Sequence, residues 1–192
     1  LDLATELGGL ALALEQAAAL IVQRRFSLAE YLTAWRANSA ALAQEAHTDS
    51  DYRHPLAVTF HLSMQELPAE AQELMRVLSF FAPEPIPEAI FDAVEDEQRE
   101  EQRAWLDACA GLSLVQRQPE SGTFSVHRLV QQMLRNSLGE ERRKGRLKAA
   151  LTWVNGAFHG DPEDVRNWPR LLPLTPHVAA LVADADRAGI AE

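Results

Sequence analysis

Apolar residues recur along this chain at helical spacing, broken at intervals by glycine and proline. Residues 1–7 read as the tail of a helix that Gly8 and Gly9 break. A second helix is predicted from residue 10 to about residue 23, with Leu10, Leu14, Ala17, Ala18 and Ile21 on one face. Ser27 then offers an N-cap, and Glu30 three residues later completes a capping box. The helix behind it carries Leu28, Tyr31, Leu32, Trp35 and Leu42 as its apolar stripe, with the small Ser39 between the last two. The polar run 44–51 reads as a domain boundary.

Pro55 opens the next unit. Val58, Phe60 and Leu62 alternate as a short strand would. Leu67 and Pro68 punctuate, and residues 69–81 form a strong helical pattern with Leu74, Val77, Leu78 and Phe81 facing inward. Pro83, Pro85 and Pro87 make a stiff connection. Helices follow over 88–94 and 97–110, the second carrying Trp105, Leu106 and Cys109 and ending at Gly111. Residues 112–117 and 123–126 read as a β-hairpin around a turn-rich Pro119 to Gly122. Helical spacing resumes at Leu129, Val130, Met133, Leu134 and Leu138. Three helices, a hairpin and a further helix are the components of a winged helix. Residues 140–144 read as a solvated connection or a helix start, 147–158 as a helix, and 168–186 as a last helical stretch interrupted near Pro173 and Pro176. The expected fold is mainly α: a helical subdomain over 1–48, a winged-helix domain over 52–140 with one small β-hairpin, and α-solenoid-like helices over 145–192.

One histidine stands where the hairpin runs into the next helix. His127 follows Phe124-Ser125-Val126 and precedes Arg128-Leu129-Val130. Backbone N–H groups at a helix start lack partners, and the helix dipole there favours anions. Two readings stand: His127 caps or orients the turn, or it adds a donor toward a phosphate.

The composition is that of an ordinary globular chain, 192 residues with 47% hydrophobic and 24% charged. Its net charge of −10 argues against a general nucleic-acid or anionic-membrane surface. The apolar stretch 7–22 is interrupted by Glu15 and Gln16 and is too short to span a bilayer. The lone Cys109 reads as a buried structural thiol, and a chain without an internal disulfide fits a reducing, cytoplasmic setting. The chain opens at Leu1 with no signal-peptide pattern and reads as a segment of a longer protein. The six histidines, at 47, 54, 61, 127, 159 and 177, show no metal-ligand spacing. No metal site and no catalytic residue is expected, and the chain is not expected to be an enzyme by itself.

Gly9-Leu10-Ala11-Leu12-Ala13-Leu14 resembles the Gly-Leu-Pro-Leu-Ala-Leu motif of the STAND-class signalling ATPases, the NB-ARC (AP-ATPase) family, in its bacterial branch. Val126-His127-Arg128 is similar to the family's Met-His-Asp motif at the end of its winged helix. Leu67-Pro68 and Phe80-Phe81-Ala82-Pro83 lie between them in the family's order. The resemblance covers most of residues 1–140 and implies a helical subdomain, a winged helix, and then tetratricopeptide-type repeats. It implies a helix over 56–66 in place of the strand. It implies that Gly9, Leu10, Ala11 and Leu12 lie near the adenine of a bound ADP or ATP, and that His127 reaches the β-phosphate of ADP. The nucleotide would be shared with an upstream P-loop domain; no Gly-x-x-x-x-Gly-Lys-Ser/Thr motif occurs in these residues. The implied partners are that P-loop domain, a downstream repeat domain, and further copies of the protein on activation. Ala11 stands in place of the family's proline, and Arg128 in place of its aspartate.

Two other functions compete. A protein-interaction scaffold built from the helices needs no ligand, with Trp153, Trp168 and Leu171 either docking a partner or packing on a neighbouring repeat. A DNA-binding winged helix would insert the helix before the hairpin, yet residues 92–107 hold seven acids against Arg99 and Arg103. The basic run Arg142, Arg143, Lys144, Arg146 and Lys148 lies elsewhere and reads as a solvated helix face.

Overall fold

The computed structural model describes residues 3–45, 55–93 and 96–190. The chain is mainly helical with one small antiparallel sheet. A short α1 (Leu3–Glu6) ends in two left-handed glycines, Gly8 (φ +65°) and Gly9 (φ +67°), conformations that a side chain would strain. They turn the chain into α2 (Ala11–Arg24). Before α3 (Leu28–Glu45) the capping box forms as expected. The Glu30 carboxylate accepts from the Ser27 N–H at 2.7 Å, and the Glu30 N–H donates to Ser27 Oγ at 3.2 Å. The Ser27 N–H first, and then the Ser27 hydroxyl donating to the same carboxylate at 2.7 Å, hold the Glu30 carboxyl below the usual range.

The inward face of α2 differs from the expected one. Ala13, Gln16, Ala17 and Leu20 are buried, whereas Leu10, Leu14 and Ile21 are half-buried and Ala18 is exposed. The small Ala13 and Ala17 let α2 lie close to α4 (Pro55–Gln65), which is the helix implied over 56–66 and not a strand. A Cβ on Gly8 would stand 3.7 Å from Pro55 Cγ at one end, and Arg24 pairs with Glu66 at the other. The two helices therefore run side by side in the same direction. On α3, Tyr31, Trp35 and Leu42 are buried but Leu28 is exposed. Trp35 Nε1 donates to Thr59 Oγ1 at 3.2 Å, which ties α3 to α4. The boundary expected over 44–51 falls largely outside the described residues, as do His47 and His54.

The unit from α4 to α7 has winged-helix connectivity. After α4 come α5 (Ala69–Leu78), strand β1 (Ile86–Pro87), a 3-10 turn (Glu88–Ala93), α6 (Asp96–Gly111), β2 (Val115–Gln118), β3 (Thr123–Val126) and α7 (Arg128–Asn136). The sheet order is β1-β3-β2, with Ile86 opposite Phe124 and Val115 opposite Val126. Strand β1 is an addition to the expected hairpin. It is an edge strand, where the missing N–H of Pro87 costs little. Gly111 closes α6, but the left-handed residue that follows is Ser113 (φ +53°). Carbonyls just beyond the end of α5 are met by α7: Gln131 Nε2 donates to Phe81 O at 3.0 Å, and Arg135 donates to Ser79 O.

The remaining helices pack back on this unit. Helix α8 (Glu140–Ala157) starts earlier than expected and covers the 3-10 turn and α5, where Phe91 stacks on Phe124 and meets Trp153 edge-on. Part of the basic run is neutralised there, Lys144 by Glu140 and Arg146 by Glu73. After α9 (Trp168–Leu171), α10 (Thr175–Ala188) packs on α8. One cluster of buried apolar residues runs from Leu7 to Ala185, and each fully buried side chain of this size contributes about 1.5–3 kcal/mol.

Cys109 is buried within that cluster, and burial pushes its thiol up to about 12. The expected outcome is that iodoacetamide near neutral pH leaves Cys109 unmodified in the folded chain and labels it in urea, read by mass spectrometry. Labelling at equal rates in both conditions would contradict the core placement.

Candidate functional site

Two helix starts converge on one cleft. Its walls are Ala11, Leu12 and Glu15 of α2, Pro83 of the proline segment, Ser113 and Leu114 after α6, Gln116 and Ser125 of the hairpin, and Val126, His127 and Arg128 at the entry to α7. It encloses about 450 Å³.

The local sequence explains why backbone donors are free there. Leu10 is the N-cap of α2 and has no side-chain oxygen to offer. Among the described residues, the N–H groups of Ala11 and Leu12 have no hydrogen-bond partner. At α7, His127 is the N-cap, with extended backbone (φ −61°, ψ +134°). Its Nδ1 accepts from the Leu129 N–H at 3.2 Å. In a neutral imidazole the other nitrogen, Nε2, then carries the proton. His127 is exposed to the cleft. One ring nitrogen thus caps the helix, the first of the two readings, and the other is left as a donor.

Of the residues expected near a nucleotide, Ala11, Leu12 and His127 share this cleft. Gly9 and Leu10 do not line it; they form the turn that aims α2 at it. Besides Arg128, seven cleft residues were not among those expected there: Glu15, Pro83, Ser113, Leu114, Gln116, Ser125 and Val126. Gln116 and Ser125 are cross-strand partners on the outer face of the hairpin. The alternation of β2 and β3 around Val115, Phe124 and Val126 was the available signal for that face. Arg128, noted only as a lost carboxylate, stands in the wall as an exposed guanidinium. The charge inventory is thus Arg128 and two helix starts against the carboxylate of Glu15.

A second, mainly apolar groove of about 560 Å³ adjoins the first through Glu15 and Ser113, between α2 and the end of α6. On α6 itself, Glu100, Glu101 and Asp107 are exposed. The nearby cations are engaged by acids: Arg99 lies 3.3 Å from Asp92, and Arg117 bonds Glu88 and Asp107. Chiefly through the Glu88 hydrogen bond, the Arg117 guanidinium is held above its ordinary range. No cluster of potential metal ligands occurs among the described residues. No helix among them is long and apolar enough to cross a membrane.

A family described as "Domain of unknown function (DUF7779)" matches residues 62–143. That span runs from α4 into the first turn of α8 and includes His127 but not the α2 wall of the cleft. No curated protein and no solved structure matches the chain.

Ala11 is the first residue of α2, where the missing N–H of a proline would break no bond and extended Leu10 tolerates one behind it. Ala11→Pro is expected to raise Tm by about 1–4 °C by restricting the unfolded chain. A fall in Tm on thermal unfolding would show that this turn is built differently.

Proposed function

We propose that this chain is the nucleotide-sensing regulatory part of a STAND-type, NB-ARC-like ATP-dependent switch. In this reading a P-loop domain elsewhere in the protein holds ADP or ATP. The cleft between α2 and α7 closes over the diphosphate end. The observation that carries the reading is the convergence of the first turn of α2 and the His127 cap on one cleft. Ala11 and Leu12 of the Gly-Leu-Ala-Leu motif and the residues of the Val-His-Arg motif, far apart in sequence, line the same space. Free backbone N–H groups, the Nε2–H of His127 and Arg128 all suit an anion.

The sensing step is differential binding. His127 donates Nε2–H to a terminal phosphate oxygen while Nδ1 keeps the α7 cap, so helix and ligand are held by one ring. A hydrogen bond to a charged group contributes about 1.5–3 kcal/mol, enough to bias a two-state equilibrium by about one to two orders of magnitude. The chain supplies no phosphate-transfer chemistry in this scheme. The scaffold reading stays as the second proposal, because the apolar groove lined by Ala18, Val22 and Ala108 needs no nucleotide to be useful. DNA binding through α6 is disfavoured by its exposed carboxylates.

The test uses the protein with its P-loop domain in place. His127→Ala is expected to speed release of a fluorescent ADP analogue by about tenfold or more in stopped flow, with a smaller effect on ATP. Equal release rates in wild type and variant would reject the role of His127.

A further inference from the structure

His177 is a second unusual histidine, on the side of the molecule that the cleft does not use. It lies in the first turn of α10 and is 0% exposed. Its Nε2 stands 3.2 Å from the Pro85 carbonyl, and its ring meets Phe81 at 5.6 Å between centroids. A carbonyl only accepts, so Nε2 carries the proton and donates. Nδ1 is then a bare acceptor, buried and without a partner among the described residues.

We propose that the His177–Pro85 contact is a clasp that holds only while the imidazole is neutral, so that protonation detaches α10 from the proline segment. Protonated Nδ1 would place an N–H and a positive charge in an apolar pocket with no acceptor. It would also sit at a helix start, where the dipole opposes a cation. Moving the ring into water relieves both, and in the proposed clasp the start of α10 moves out with the ring, which is 0% exposed in place. Burial accordingly holds the His177 imidazole below the ordinary histidine range. The hydrogen bond to the Pro85 carbonyl and, after it, the field of Glu84, exposed on the proline segment, oppose that effect without outweighing it. The other charged groups form a separate set: Asp184 pairs with Arg187 on α10, near Arg135 of α7 and Arg143 of α8. For a histidine depressed in the folded state, the clasp's stability is complete above the unfolded value, about 6.5, and is lost as pH falls through the folded one. The clasp bears on the cleft because Pro83, two residues from Pro85 in the same stiff segment, forms part of the cleft wall.

The test is hydrogen exchange by mass spectrometry on the intact chain at about pH 7.5 and about pH 5, with intrinsic rates divided out. Peptides from α10 are expected to lose protection several-fold in acid while α5 peptides keep theirs. His177→Gln, which can still donate to Pro85 but does not titrate, is expected to abolish the difference. Equal α10 protection at both pH values overturns the clasp. So does an undiminished acid effect in His177→Gln, or a parallel loss across α5. Should that variant fold poorly, imidazole nitrogen NMR of the wild type decides the matter. Ring protonation that coincides with α10 opening supports the clasp, and protonation without opening refutes it. None of these outcomes depends on the nucleotide reading.

Discussion

The start of α2 reaches the cleft only because α2 lies against α4. That contact depends on small side chains: Ala13 and Ala17 are fully buried, and Gly8 approaches Pro55. Larger residues there would push α2 outward and carry Ala11 and Leu12 away from His127. A polar contact ties one end of the seam, and another ties α3 to α4 beside it. The Arg24–Glu66 pair is solvent-exposed on the arginine side and adds little. Trp35 to Thr59 is a buried hydrogen bond, and its loss would strand a donor. Gln16, buried in α2 with both amide atoms unpaired, works against the same packing. The seam is therefore close-packed but not maximally stable.

In the role proposed for it, His127 would meet a similar conflict at a single residue. A helix start needs a cap, and an anion needs a donor. Serine or aspartate would cap α7 well, but an aspartate would repel phosphate and a serine would spend its short reach on the cap. Imidazole separates the tasks onto two nitrogens about one ring apart. The neutral tautomer is selected by the cap itself, because Nδ1 must accept from Leu129.

Much of this was legible in the chain and some was not, for identifiable reasons. The Ser27–Glu30 box, α5, the hairpin and the entry to α7 carry strong local signals, and each formed where expected. The inward face of α2 was misjudged because an alanine- and leucine-rich helix is apolar nearly all round, so periodicity points weakly. Packing against α4 then chose the small residues over the large ones. Strand β1 was hidden by its prolines, which are tolerated only because it lies at the sheet edge. The cleft could be half seen: the two motifs named Ala11, Leu12 and His127, but no local pattern in sequence states that residues 11 and 127 meet. Ser113 gave no signal at all, since a left-handed serine looks like any other serine until the backbone is known.

The proline segment between α5 and β1 is where these parts meet mechanically. Its N-terminal end is fixed from above by α7, through Gln131 on Phe81 O. Its middle lines the cleft at Pro83 and is gripped by His177 at Pro85. Its far end enters the sheet as Ile86 opposite Phe124, and β3 leads directly into His127. Three prolines in five residues leave few backbone torsions to absorb a displacement. In the clasp we propose, a shift at Pro85 would be passed on, either to the cleft wall at Pro83 or through β1 and β3 to the His127 cap. Both routes end at the same cleft, so helices at the C-terminal side of the molecule can act on it without touching it.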